Sequence, residues 1–218
     1  MPDGGAVATT RDMVPSGAGA DVERLWLAVL QKLAADVAHE LRNALNGVAV
    51  NLEVVRSRAS REGVAASTLG SFAGSASDQL EQVIRMADAM MSLVRAQQGP
   101  ALVGRTTDMV AALVRPPLVT AGGSLELVVE GEGSTRVPAG VARVLIAATL
   151  QRAAESARRG ETGGALACRV RPAAGVELRV TGVFAPAPRL DDAVAELAKE
   201  HGVGVRPTES SITLTFPA

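Results

Sequence analysis

Residues 21–60, DVERLWLAVLQKLAADVAHELRNALNGVAVNLEVVRSRAS, contain no proline, carry a single glycine and repeat apolar side chains at helical spacing. Such a stretch reads as one long helix, with Asp21 as its cap and Glu23 in a first turn that favours negative charge. After a break around Glu62 and Gly63, a second periodic stretch runs from Ser67 to Gln98, and Gly99 and Pro100 end it. Two long helices joined by a short break predict an antiparallel hairpin with an apolar stripe left uncovered. A second copy of the chain would cover that stripe, giving a homodimer built on a four-helix bundle. In the second helix Ser67, Ala73, Gly74, Ala76 and Ala87 allow close approach, while Leu69, Phe72, Leu80, Val83, Met90 and Val94 supply bulk.

After Pro100 the pattern changes to short runs separated by Gly and Pro. Thr107–Leu118, Ala139–Arg159 and DDAVAELAKEHG read as helices; LELVVEGE, GALACRVRP, GVELRVTGV and SSITLTF read as strands. The expected fold class is α+β, with residues 1–20 a disordered leader, 21–99 the helical hairpin and 100–218 a domain with helices on one face of a mixed sheet.

Composition narrows the function. Twenty-two Lys and Arg against 23 Asp and Glu give a net charge of -1, and with no Tyr, one Trp and three Phe the chain lacks stacking platforms, so no nucleic-acid partner is expected. Cys168 is the only cysteine, and the two histidines lie far apart, which leaves neither a disulfide nor a zinc spacing. No secretory signal or membrane-spanning run is visible, so a cytoplasmic protein with no membrane contact is expected.

The segment that carries chemistry is DVAHELRNALNGV, residues 36–48. At about 100° per residue, Trp26, Leu30, Leu33, Val37, Leu41, Ala44, Val48, Leu52 and Val55 share one sector of the helix. His39 points nearly the opposite way, with Arg42, Asn43 and Asn46 on the same polar side and Glu40 nearer the seam. An imidazole with its ordinary pKa of about 6.5 is largely neutral at physiological pH and is a good nitrogen nucleophile. A neighbouring carboxylate such as Glu40 would assist by accepting a hydrogen bond from its second nitrogen, and Arg42 and Asn43 would face phosphate oxygens. On pattern alone a solvated surface histidine remains open, and composition favours it.

The string HELRNALNGV closely resembles the phosphoacceptor box of two-component sensor histidine kinases, His-Glu-Leu-Arg-(Asn, Thr or Ser)-Pro-Leu, with Ala44 replacing the proline. That resemblance implies that His39 is phosphorylated, that Glu40 aids proton removal, that Arg42 is the basic neighbour, and that Asn43 orients a water for dephosphorylating a partner. In the family the proline bends the helix; Ala44 should leave it straighter.

The order of elements from Thr107 onward likewise resembles the ATP-binding domain of these kinases, an α/β sandwich, in layout but not in chemistry. Where the family places asparagines that hold magnesium, Ala148 and Arg152 stand, and neither is a magnesium ligand. Thr181 takes the place of the adenine-recognising aspartate, and Asp191 and Asp192 replace the glycine-rich phosphate turn. Gly202 and Gly204 read as helix termination and a turn, His201 as a helix-end residue, Cys168 as core filling, and Met86, Met90 and Met91 as bundle core. Lys199, Arg158 and Arg159 read as ordinary helix-face charges.

These readings predict a histidine phosphotransferase of a phosphorelay. It would pass a phosphoryl group between response-regulator receiver domains through His39, with no cofactor of its own and with Mg2+ held by the receiver. A divergent autophosphorylating kinase and a non-catalytic dimer that binds receivers are the alternatives.

Overall fold

The computed structural model describes residues 17–61, 66–95, 100–131, 133–159, 164–184 and 186–218. Helix α1 spans Gly17–Ala59 and α2 spans Ala66–Val94, forming the expected antiparallel hairpin. α1 runs unbroken through Ala44, in keeping with the missing proline. It starts before Asp21, which lies inside the helix and pairs with Arg24, so Asp21 is not the cap. Residues 17–20, assigned to a leader, are helical, because nothing in Gly-Ala-Gly-Ala blocks upstream propagation of a helix already nucleated. The expected break at Glu62 and Gly63, and Gln98 and Gly99 at the far end, fall outside the described residues.

The buried side chains of α2 are Ala76, Met86, Ala89 and Leu93, whereas Leu80 and Val94 are exposed and Gly74 has open space around it. Asn51 Nδ2 donates to Gln79 Oε1 at 3.2 Å across the seam. A Cβ at Gly47 would come within 2.4 Å of the same Gln79 side chain, so this glycine lets the amide lie against the α1 backbone.

The remainder is an α/β unit. Strand β1 (Pro100–Leu102) leads into α3 (Val103–Thr120), followed by β2 (Ser124–Val129), β3 (Ser134–Pro138), α4 (Ala139–Arg158), β4 (Ala165–Ala173), β5 (Gly175–Gly182), α5 (Asp192–Glu200), β6 (Gly204–Pro207) and β7 (Ser211–Pro217). Five strands form a mixed sheet ordered β2-β4-β5-β7-β6, parallel only between β2 and β4, and β1 pairs with β3 in a small separate ribbon. β1, β3 and β6 escape sequence reading because they are short and contain or adjoin proline and glycine.

Alternation sets one sheet face against the helices: Leu166, Cys168 and Val170 of β4, Val176, Leu178 and Val180 of β5, and Ile212, Leu214 and Phe216 of β7 are buried, and in β7 the intervening Ser211 and Thr213 are buried too. They meet Leu113 and Leu118 of α3 and Leu145, Ile146 and Leu150 of α4. Each such side chain contributes about 1.5–3 kcal/mol on burial. Cys168 is therefore core, and desolvation pushes its thiol up to about 12. α1 lies on the outer side of this helix layer, so the protein has three layers: sheet, helices, hairpin.

Candidate functional site

α1 contacts the α/β unit along only part of its length. Trp26, Val29, Leu33 and Val37, spaced three or four residues apart, are buried against it. Beside this stripe runs a second row that sequence reading missed, at intervals of four. Lys32 Nζ reaches Glu155 at 3.5 Å, Asp36 meets Arg158 at 3.3 Å, and Glu40 Oε2 accepts a hydrogen bond from Thr120 Oγ1 at 2.9 Å. Arg158, expected to be an ordinary surface charge, instead joins α4 to the helix that carries His39.

His39, Arg42, Asn43 and Asn46 are all exposed. Arg42 and Asn43 stand three and four residues after His39, on the same helix face. This places an imidazole, a guanidinium and amides on one open strip, as the helical arithmetic predicts. Glu40 is separated from that strip: it is 5% exposed, and its carboxylate is turned toward the end of α3. Its partner Thr120 is held in place by the helix terminus. Gly122 N–H donates to Val119 O at 2.9 Å and Gly123 N–H to Leu118 O at 2.9 Å, with Gly122 at φ 83, a left-handed termination that glycine permits.

At the base of the hairpin, Arg143 of α4 donates from NH1 to Leu93 O at 2.6 Å and to Arg95 O at 3.3 Å, capping the end of α2. The same guanidinium lies 4.1 Å from the ring centroid of Trp26. Desolvation holds its pKa below the usual arginine value.

A groove lies where α1, α4 and α5 meet. Its walls include Ala148, Gln151, Arg152, Asp191 and Val194, and α1 lays Leu25, Ala28, Val29 and Lys32 across it. Arg152 is engaged with Glu155 at 3.2 Å and with Asp191. Ala148 and Arg152, expected from the sequence not to be magnesium ligands, offer no oxygen donor, whereas Gln151 and Asp191 in the same groove do. Thr181 does not line this groove; it borders a shallow depression on the open sheet face with Arg169 and Arg179. Among the described residues no cluster of three or more His, Cys, Asp or Glu is placed to hold a metal ion. No helix is long and apolar enough to cross a membrane among the described residues.

Residues 29–99 match the family model described as the His Kinase A (phospho-acceptor) domain. None of the curated proteins matches the chain. Among solved structures, the chain is similar to the blue-light activated histidine kinase of Erythrobacter litoralis EL346, at 16% identity and a TM-score of 0.39. That match covers 85% of this chain and 59% of the other, so this chain spans about three fifths of its length. It is similar to the mycobacterial sensor histidine kinase MprB at 16% identity and a TM-score of 0.44, covering 55% of this chain and 97% of that one. The Acinetobacter baumannii histidine kinase AdeS is matched at 13% identity and a TM-score of 0.41, covering 82% and 97% respectively.

Proposed function

We propose that this chain is a histidine phosphotransferase of a two-component phosphorelay, working as a homodimer and taking its phosphoryl group from a receiver domain and not from a nucleotide. The observation that carries the reading is the open position of His39 on a helix within the segment that matches the phospho-acceptor family model. Two features support the finer points. Ala148 and Arg152 stand where the resemblance places magnesium-holding asparagines, and Arg152 is paired with Glu155 and Asp191. Exposed Leu45 and Leu52 on α1, with Leu80, Ile84 and Met91 on α2, leave an apolar stripe for a second hairpin to cover.

In the proposed reaction a neutral ring nitrogen of His39 attacks the phosphorus of an aspartyl phosphate on a docked receiver. The N–P bond forms as the P–O bond to the aspartate breaks, and the aspartate leaves as a carboxylate. Positive charge grows on the imidazole, so a carboxylate at its second nitrogen stabilises the product and takes up that proton's charge. Arg42 faces the equatorial phosphate oxygens, and magnesium in the receiver's own acidic site neutralises the rest. Asn43, one turn beyond His39, positions a water for the competing hydrolysis. The phosphoryl group then passes to the aspartate of another receiver by the reverse step.

The test is labelled phosphoryl transfer from a phosphorylated receiver compared with labelled ATP and magnesium. The expected result is label on the wild-type chain from the receiver alone, acid-labile as a phosphoramidate is, and none on His39→Gln. Label on His39 from ATP without a receiver would replace this reading with an autophosphorylating kinase. Receiver binding and signalling that survive His39→Gln would identify a non-catalytic scaffold.

A further inference from the structure

The acid beside the phosphoacceptor is engaged elsewhere, and what engages it is a single hydroxyl from another part of the fold. Thr120 Oγ1 makes the one side-chain hydrogen bond that Glu40 has among the described residues, across 80 positions of sequence. Glu40 as a residue is 5% exposed while Thr120 is exposed, and a hydrogen bond from a hydroxyl to a partly buried carboxylate favours the orientation that makes it. The hydroxyl therefore biases the carboxylate toward α3. Of the other charged groups around it, Asp36 on α1 pairs with Arg158 of α4, and two arginines line the same cavity as Thr120: Arg85 of α2, which pairs with Glu81, and Arg115 of α3, which donates from Nε to Leu125 O. Arg42 lies on the exposed strip with His39.

We propose that Thr120 is a positioning residue that restrains phosphotransfer: its hydroxyl holds the Glu40 carboxylate against α3 and away from His39, and His39 gains its acid partner only when that hydrogen bond is broken. The proposal rests on His39 being the phosphoacceptor. Adjacent residues on a helix are about 100° apart, so a change of side-chain rotamer at Glu40 suffices to swing the carboxylate from the α3 side toward the imidazole, with no movement of the backbone. The terminus formed by Gly122 and Gly123 keeps Thr120 from following.

The experiment compares Thr120→Val, which keeps the shape and removes the hydroxyl, with Thr120→Ser, which restores it. Two readouts are taken on the full chain. The first is the 15N signature of the His39 imidazole with no phosphoryl donor present, resolved from His201, the only other histidine. The second is the rate of phosphoryl acceptance from a phosphorylated receiver. In Thr120→Val the His39 ring is expected to shift toward the tautomer protonated at Nδ1, and kcat to rise about tenfold with KM unchanged. Thr120→Ser should match the wild type in both, and adding Glu40→Gln to Thr120→Val should remove the gain. A rate that falls or stays level in Thr120→Val, or a serine variant that behaves like the valine one, overturns the proposal while His39 remains the acceptor. No acceptance by the wild-type chain overturns both this and the phosphotransferase reading.

Discussion

The two halves of α1 have the same kind of sequence and opposite fates. From Trp26 to Glu40 the apolar stripe is used up by the α/β unit, and the polar row beside it is bonded to α3 and α4. From Leu41 onward only Ala44 is buried; Leu45 is 49% and Leu52 is 52% exposed. His39 sits where one regime gives way to the other. The lesson is that amphipathic spacing specifies that a face will be buried, and not what will bury it. Within one chain, His39 lies between a fixed assembly on one side and, on the other, a hairpin stretch whose leucines are exposed.

Self-association is where the contrast between the two halves should show most strongly. Leu45→Glu combined with Leu52→Glu should weaken the proposed dimer about a hundredfold or more, since each buried leucine is worth about 1.5–3 kcal/mol and the pair recurs in both copies. Sedimentation equilibrium should show monomer with helical content unchanged; an unaltered mass would mean the exposed stripe is not the dimer seam. In the other half, Arg143→Met should lower stability by about 2–3 kcal/mol, because it removes the donors to Leu93 O and Arg95 O together with the contact on Trp26. Urea denaturation followed by circular dichroism measures this, and a loss below about 1 kcal/mol would show that the hairpin base is held by apolar packing alone. Asp36→Asn should cost less than about 1 kcal/mol, since its pair with Arg158 is partly open to solvent. A larger loss in the same titration would mean the polar row holds the helix more firmly than the apolar stripe does.

Much of this architecture is legible in the sequence, because long periods average out local exceptions. The hairpin, α4, α5 and the strands β4, β5 and β7 follow from 3.6- and 2-residue periodicity. The exposure of His39 follows from the same arithmetic. What periodicity does not carry is the identity of partners across space. The bond from Thr120 to Glu40 and the pair of Arg158 with Asp36, 122 residues apart, depend on how α1 lies on α3 and α4, and no local signal encodes that. Asp21 shows the reverse error: its type suits a cap, yet Gly17–Ala20 continue the helix and leave it a mid-helix charge paired with Arg24.

The position of Trp26 under the Arg143 guanidinium has a practical consequence. It is the only indole in a chain without tyrosine, so ultraviolet emission excited at long wavelength comes from this one junction of hairpin and α/β unit. Any loosening of that junction, by a docking partner or by a phosphoryl group on the helix above it, changes the colour and brightness of the protein's own light, and the motion can be followed in real time without attaching a dye.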